Sequence, residues 1–402
     1  MSKIYITDTT LRDGSHTVSH KFSLEDVYAV TRGLDGAGID IIEVGHGDGL
    51  TGSTINYGFS AYDDFEIIKA AKKAINRAKL AVLLIPGIAT VEDMKRAQSC
   101  GIDAIRIATH VTEADVSEQH IKAAKQLGLF TVGFLMMGHM APVEKIVEEG
   151  KKMEAYGADV VYCTDSAGHL LPNGVKDRIE ALVKNLSIPI GHHSHNNLGL
   201  AIGNSLAAVE AGATYIDGSL SGLGAGAGNT ATDNLIAVFN RMNYDHNGDL
   251  FKTMDVSEKI LLPILQGKGL TPALNLDAMI LGYAGAYSSF LLHAKRAAKR
   301  FNVDVREILI ECGRRKTVGG QEDWIIEIAS NELIVALLKQ GFGCSILSKR
   351  AAHDIGYQLL DKNFERQFYL IQRKVVTEPA IEGLRTFIKE WSQEDSLQAE
   401  SK

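Results

Sequence analysis

The stretch Asp8–His16 carries three side chains that could take part in catalysis. Arg12, Asp13 and His16 lie within five residues, shortly after the apolar run Ile4–Ile6. A fixed cation, an anionic ligand and a titratable imidazole could together bind a metal ion, stabilise a developing oxyanion and move a proton. A solvated strand-to-helix loop with Asp13 as a helix cap would explain the same residues. The stretch alone leaves both interpretations open.

A second candidate for metal binding is the His193-Ser194-His195 sequence. In an extended strand, residues i and i+2 point to the same face, so both imidazoles can reach one ion. Two histidines and one carboxylate, for which Asp13 is the candidate, suit a catalytic Mn²⁺, Fe²⁺ or Zn²⁺. His192 points to the other face and is interpreted as structural.

The elements that must position these residues alternate between β-rich and helical patterns. The strands are predicted at Lys3–Asp8, Asp40–Val44, Leu80–Ile85, Ala104–Ala108, Phe130–Met136, Val160–Thr164, Ile188–His193 and Thr214–Gly218. Helical periodicity covers Leu24–Ala37, Phe65–Ala74, Val91–Cys100, Glu118–Leu127, Pro142–Tyr156, Asn173–Asn185 and Leu198–Ala211. Eight βα units over about 240 residues predict a (β/α)₈ TIM barrel. A doubly wound sheet stays the alternative, because strand order cannot be read from one sequence.

A barrel requires its functional groups to lie where the strands end. Polar clusters follow the first, second, sixth, seventh and eighth predicted strands: Arg12–His16, Glu43–Asp48, Asp165–Ser166, His192–Asn197 and Gly222–Asn229. The last of these is glycine-rich and could cradle a phosphate or allow close backbone approach. Residues far apart in sequence would therefore converge on one face.

Composition restricts the class of protein. The chain has 402 residues, of which 45% are hydrophobic and 23% charged, as in ordinary globular proteins. Its net charge of −7 does not favour nucleic-acid binding. The four cysteines include no CxxC pair, which favours a reducing cytoplasm over a disulfide framework. We expect no signal peptide before the first strand and no membrane span.

Thr9–Gly14 and His193–Gly199 resemble a superfamily of metal-dependent enzymes that make or break carbon–carbon bonds of pyruvate and acyl-CoA substrates. It includes HMG-CoA lyase, isopropylmalate synthase and homocitrate synthase. Within it, the chain resembles more closely the 4-hydroxy-2-oxovalerate aldolases, class II aldolases of meta-cleavage pathways for aromatic compounds. Further matching segments are Val44–Leu50, Asn56–Phe59, Ala108–Ser117, Thr131–Met137, Gly282–Leu291 and Val318–Asp323. The similarity covers about residues 3–330.

The resemblance implies a division of roles. Asp13, His193 and His195 would hold a divalent metal, expected to be Mn²⁺, on which the substrate carboxylate and 2-keto oxygen chelate. His16 would take the C4 hydroxyl proton, and Arg12 would stabilise the pyruvate enolate. Two further positions match residues that contact substrate in the family, Ser166 and Tyr287. Without that match, Tyr287 could equally be a packing residue of an apolar helix.

Position 16 separates the branches of the superfamily. Claisen-type synthases usually carry a glutamine where this chain has His16, and imidazole titrates near neutral pH, as a retro-aldol base must. The predicted reaction is cleavage of 4-hydroxy-2-oxopentanoate to pyruvate and acetaldehyde. A Claisen-type acyl-CoA lyase or synthase and a non-catalytic fusion product are the alternatives. The set of candidate residues argues against the second.

The predicted domains are a catalytic barrel over residues 1–262, a helical domain over 263–340 and an extension over 341–402. In the family, the helical domain docks an acylating acetaldehyde dehydrogenase into a heterotetramer and passes the aldehyde through a tunnel. A homodimer surface would explain its apolar segments equally well. The extension resembles the end of the effector-binding domain of LysR-type regulators. We expect it to be a fused remnant with one or two helices and a strand, followed by a disordered end at Ser392–Lys402.

Overall fold

The computed structural model describes residues 2–270, 281–282, 284–319, 321, 324–326 and 328–329 with their burial. It also describes the backbone of three strands between residues 344 and 372. The predicted end of the extension, Ser392–Lys402, lies outside the described residues.

Eight parallel strands close into a barrel in sequence order, with the first strand paired to the eighth. They are β1 (Tyr5–Leu11), β2 (Ile41–Val44), β3 (Lys79–Leu84), β4 (Ala104–His110), β5 (Phe130–Met136), β6 (Val160–Asp165), β7 (Ile190–Ser194) and β8 (Tyr215–Gly218). Closure confirms the predicted (β/α)₈ barrel and excludes the doubly wound sheet.

Eight helices surround the barrel, one after each strand. They are α1 (Leu24–Gly36), α2 (Asp64–Lys72), α3 (Val91–Cys100), α4 (Glu118–Gln126), α5 (Val143–Tyr156), α6 (Pro172–Asn185), α7 (Ala201–Glu210) and α8 (Thr232–Met242). Local signals set their ends: Ser23 and Thr90 open α1 and α3 with reciprocal capping boxes. Gly101 and Gly157 end α3 and α5 with φ of 105° and 107°, a conformation that strains other residues.

The chain continues beyond the barrel with further helices. They are α9 (Leu250–Val256), a π-helical turn (Ser257–Leu261), α10 (Leu262–Gly267), α11 (Phe290–Phe301) and α12 (Val305–Arg315). No helix among the described residues is both long enough and apolar enough to cross a membrane.

The first strand is longer than predicted and changes the environment of the opening cluster. β1 continues to Leu11 rather than ending at Asp8, and Asp13–His16 forms one 3₁₀ turn directly after it. Arg12 and Asp13 are only 4% and 3% exposed. The solvated-loop interpretation of this cluster is therefore wrong.

The chain divides into two compact units. One comprises Met1–Leu291 with Gly313–Gly319, and the other comprises Leu292–Cys312 with Gly320–Lys402. In the second unit, β9 (Cys344–Ser348), β10 (Gln358–Asp361) and β11 (Phe368–Gln372) form an antiparallel sheet in the order β10-β11-β9.

The extension therefore contains three described strands where one strand with one or two helices was expected. A single strand cannot satisfy its backbone hydrogen bonds, and here β11 pairs with both neighbours. Any helices of the extension lie outside the described residues. The predicted boundaries at 262 and 340 stay predictions.

Candidate active site

Asp13, His193 and His195 converge at the carboxyl end of the barrel. Each offers one ligand atom, and these atoms all lie within 4.8 Å of one another. His193 Nδ1 is hydrogen-bonded to Asp217 Oδ2 at 2.9 Å, and His195 Nδ1 lies 3.4 Å from the Ala225 carbonyl oxygen. Both contacts leave Nε2 as the ring atom that can reach an ion, and an outer-shell partner of this kind typically orients a metal-binding histidine.

The protonation states of these residues suit a cation. Burial alone would raise the pKa of the Asp13 carboxyl, but the Arg12 guanidinium and the neighbouring imidazoles together outweigh burial and hold that pKa well below its usual range. Burial lowers the pKa of His195 to about 4, so its imidazole is neutral at physiological pH. One carboxylate and two imidazoles fit a divalent catalytic metal, because three protein ligands leave coordination positions for substrate or water.

The glycine-rich loop after β8 holds the carboxylate in place. The Asn229 side-chain amide donates to Asp13 Oδ2 at 2.8 Å, and the Ala225 backbone N–H donates to the same oxygen at 3.2 Å. Gly224 packs so closely on Asn229 that a Cβ would lie 2.6 Å from its side chain. Of the two roles considered for this loop, close backbone approach agrees with these contacts.

Arg12 is fixed by carboxylates on both sides. Its Nε donates to Glu43 Oε2 at 2.7 Å, and one terminal nitrogen donates to Asp13 Oδ1 at 2.7 Å. Burial opposes the charge of Arg12, but Glu43 and Asp13 together raise the pKa of the guanidinium. Arg12 is therefore a permanent cation beside the predicted metal ligands.

A second buried arginine lies beneath them. Arg106, on β4, is 1% exposed and pairs with Glu43 at 3.2 Å and with Asp217. Glu43 also holds Arg12, and Asp217 also holds His193, so Arg106 joins the two halves of the site. We call Arg12, Glu43, Arg106, Asp217 and His193 the pocket floor.

His16 lies outside the pocket floor and is grouped with two other imidazoles, those of His20 and His46. Its ring is in edge contact with His20, which stacks on His46 at a centroid distance of 3.8 Å. Backbone groups occupy both nitrogens of His46, since Nδ1 accepts from the Asp48 N–H and Nε2 donates to the Gly58 carbonyl. Burial and then the charge of His16 lower the pKa of His20 to about 3.

His16 is thus the ring of this stack that faces the pocket. Its side chain is 24% exposed, and Nε2 lies 4.0 Å from Asp48 Oδ2. Gly47 packs against the ring, because a Cβ there would lie 2.3 Å from His16 Nε2. The His16 ring is therefore packed against Gly47 and is also partly exposed to the cavity.

All seven residues singled out from the sequence line one cavity of about 460 Å³: Arg12, Asp13, His16, Ser166, His193, His195 and Tyr287. That volume suits a small organic substrate. The Ser166 hydroxyl accepts from the Met137 N–H at 3.1 Å, which fixes it at the end of β6. Leu83, Ile85, Phe134 and Met136 supply an apolar wall.

Tyr287 lies in the segment before α11, not within a helix. Its ring lines the cavity, and burial raises the pKa of its hydroxyl. His192, interpreted as structural, is 1% exposed, with its ring nitrogens bonded to the Cys163 carbonyl and the Ser194 hydroxyl. On β7, His192 therefore packs in the protein interior, while the next residue, His193, lines the cavity.

Sequence reasoning missed Arg106 and Asp217. The available signal was a charged residue within an apolar strand, as in Ala104-Ile105-Arg106-Ile107-Ala108. Strands of a fully covered parallel barrel are almost continuously apolar, so such a charge must be paired in the interior.

Comparison with known proteins decides the family. The HMGL-like family matches residues 3–260, and the DmpG-like communication domain matches residues 272–333. Curated proteins named 4-hydroxy-2-oxovalerate aldolase, from Carboxydothermus hydrogenoformans and Moorella thermoacetica, are each 56% identical over 327 residues, covering 81% of this chain and 96% of theirs. The chain belongs to the 4-hydroxy-2-oxovalerate aldolase family. It is accordingly a member of a lyase family within the HMGL-like superfamily.

Solved structures agree on the fold. The N-terminal domain of a putative aldolase from Bacteroides vulgatus is 25% identical, with a TM-score of 0.63 and coverage of 75% of this chain and 99% of that one. The carboxyl transferase domain of Rhizobium etli pyruvate carboxylase, crystallised as a Y628A variant with pyruvate, has a TM-score of 0.71 at 16% identity. It covers 85% of this chain and 61% of that one. At that identity, the second likeness shows the fold alone.

Proposed function

We propose that the protein cleaves 4-hydroxy-2-oxopentanoate to pyruvate and acetaldehyde in the meta-cleavage catabolism of aromatic compounds. The observation that carries the proposal is that His16, Arg12 and the three candidate metal ligands all line the same cavity. This combination supplies a base for a hydroxyl proton and a positive environment for an enolate.

Asp13, His193 and His195 would hold the divalent cation, for which we propose Mn²⁺. When bound, it would supply Lewis-acid polarisation of the substrate carbonyl and a template for chelation. The donor set of two imidazoles and one carboxylate also accommodates Fe²⁺ or Zn²⁺.

His16 removes the proton of the C4 hydroxyl. As the C4 oxygen becomes the carbonyl of acetaldehyde, the C3–C4 bond breaks and its electron pair forms the enolate of pyruvate. Arg12 stabilises the negative charge on the enolate oxygen, because its own charge is held by Glu43 at all relevant pH. A proton delivered to C3 completes pyruvate.

Ser166 and Tyr287 complete the binding of substrate. Ser166 lines the cavity, and its hydroxyl contacts Thr164 Oγ1 at 2.9 Å. Burial raises the pKa of the Tyr287 hydroxyl further above physiological pH, so this group is protonated and can donate to a substrate oxygen. The apolar wall receives the methyl end of the substrate.

The test is product formation from matched substrates. Pyruvate and acetaldehyde should be released from 4-hydroxy-2-oxopentanoate, while acyl-CoA esters should give no Claisen-type condensation or cleavage. Acyl-CoA turnover without retro-aldol cleavage would overturn the proposal.

A partner follows from the segment that matches the DmpG-like communication domain. We propose that this segment docks an acylating acetaldehyde dehydrogenase to form a heterotetramer, and that the dehydrogenase receives the aldehyde through a protein channel. We propose that the complex acts in the cytoplasm. Co-expression with such a dehydrogenase should yield a joint complex on gel filtration. Separate elution of the two proteins would count against the partnership.

A further inference from the structure

Two histidines outside the proposed chemistry contact the segment that carries Tyr287. His139 follows β5 and His169 follows β6. His139 Nε2 lies 3.1 Å from the Gly285 carbonyl oxygen, and His169 Nδ1 lies 2.6 Å from the Gly282 carbonyl oxygen. Because a carbonyl only accepts, both ring nitrogens must donate. Two barrel loops thus hold the backbone two and five residues before Tyr287.

The two rings are themselves fixed by the barrel. Their centroids are 4.8 Å apart. Arg178 donates to the Gly138 carbonyl at 3.0 Å, which holds the turn of His139, and Asp165 Oδ1 accepts from the His169 N–H at 2.8 Å. Burial and then the nearby His169 lower the pKa of His139 to about 4, so its imidazole is neutral at physiological pH.

The held segment has no room for other side chains at its contact points. A Cβ at Gly282 would lie 2.5 Å from Asn197 Cβ and 2.9 Å from the Gly168 carbonyl oxygen. Gly285 has a φ of +72°, and a Cβ there would lie 2.9 Å from His139 Nε2. Backbone and rings therefore meet directly, without an intervening side chain.

We infer that His139 and His169 are positioning residues that hold the backbone at Gly285 and Gly282 against the barrel and thereby keep Tyr287 in the cavity. This inference rests on the proposed function for its kinetic effect. Neither histidine is among the described residues that line the cavity, so we expect neither to contact substrate directly. Gly282, Gly285 and Tyr287 lie within the range matched by the communication domain. The two histidines therefore connect this part of the domain to the barrel loops beside the catalytic pocket.

The kinetic test replaces each donor by an apolar or an isosteric side chain. H139L and H169L should lower kcat for cleavage by about 10- to 100-fold, the effect of displacing a positioned group by about 1 Å. H139Q and H169N keep an N–H near Nε2 and Nδ1 respectively, and should recover most of that loss. Wild-type kcat in both leucine variants would overturn the inference, as would equal losses in the leucine and amide variants.

A double-mutant cycle identifies the route. In a Y287F background, H139L should lower kcat by less than about twofold more, because residues that act through one another are not additive. Independent, multiplicative losses would show that His139 does not act through Tyr287 and would overturn the inference.

Hydrogen exchange separates this inference from the proposed function. Backbone amides of residues 284–291 should exchange faster in H139L than in wild type, while those of β1 and β7 should be unchanged. A protein that fails to cleave 4-hydroxy-2-oxopentanoate but shows this pattern would refute the function and keep the fixing role. Unchanged exchange in 284–291 would refute the fixing role whatever the activity.

Discussion

The floor of the pocket and its rim differ in what holds their side chains in place. The floor stands on or directly after strands, and its charged groups neutralise one another in the barrel interior, where side-chain exposure is 5% or less. We call His16, Asp48 and Tyr287 the pocket rim. They lie on connecting segments, and His16 and Asp48 have side chains 24% and 19% exposed.

This difference suggests that the pocket floor supplies fixed positive charge and the pocket rim transfers protons. An enolate needs a fixed positive environment, which buried ion pairs provide because they do not reorganise during the reaction. A base must exchange its proton with solvent or substrate, which requires an accessible ring. Changes at the rim should therefore alter individual proton-transfer steps, and changes at the floor should alter every step that involves the enolate or the metal.

The largest effect should come from the rim residue that moves the proton. H16A should lower kcat for cleavage by about 10²- to 10⁴-fold, as loss of a general base does. Exchange of the C3 protons of pyruvate should fall much less, because enolate formation relies on the floor. Stopped assays for pyruvate and NMR of pyruvate in D₂O measure the two rates, with H246A, outside the cavity, as the control. Equal losses in both would make His16 structural.

On the floor, R12K should lower cleavage and C3 exchange together by about 10²- to 10³-fold, the effect of removing an oxyanion donor. Lysine keeps the charge but cannot bond Glu43 and Asp13 at once in the geometry of the fork. R32K, on the exposed face of α1, is the control. Near-normal turnover of R12K would remove the enolate role.

R106M should weaken Mn²⁺ binding by about 10- to 100-fold, because Asp217 loses the partner that holds it on His193. Removing the buried cation that Glu43 and Asp217 share should also lower the free energy of unfolding by about 3–5 kcal/mol. Titration calorimetry and denaturant unfolding measure both, and R106K should fall between wild type and R106M. Wild-type Mn²⁺ affinity in R106M would show that Arg106 does not support the metal ligands.

A smaller effect should appear in the pH dependence of stability. The pKa of His20 is about 3 in the folded chain and near 6.5 when unfolded. The unfolded chain therefore takes up a proton first as the pH falls, and His20 reduces the free energy of unfolding progressively from about pH 6.5 towards pH 3. In H20N, which suits the φ of +60° at this position, that loss should be absent. A Tm difference between the two proteins that stays constant from pH 7 to 4 would contradict the pKa.

The alternation of β-rich and helical patterns was sufficient to predict all eight strands and the barrel, because each βα unit is specified locally. The residues Arg12, Asp13, His193 and His195 could be proposed because parallel strands bring their ends to one face. Strand orientation was harder: Arg106 faces inward only because of the register of β4 between β3 and β5.

The rim was least predictable. Loop conformation, not pattern, brings Asp48 to His16 and the two histidines after β5 and β6 to the segment before Tyr287. The extension was predicted from a resemblance, and the pairing of β11 with two strands could not be read from its sequence. Long-range strand pairing depends on contacts that no local pattern encodes.

The most direct measurement is cleavage of 4-hydroxy-2-oxopentanoate by protein freed of metal. Chelated wild type, shown to be metal-free by elemental analysis, should release almost no pyruvate or acetaldehyde, and added Mn²⁺ should restore both. D13N should bind Mn²⁺ more weakly and stay inactive at the concentration that restores wild type, because it lacks the carboxylate among the candidate ligands. Full cleavage by the metal-free protein would contradict a metal-dependent aldolase built on Asp13, His193 and His195.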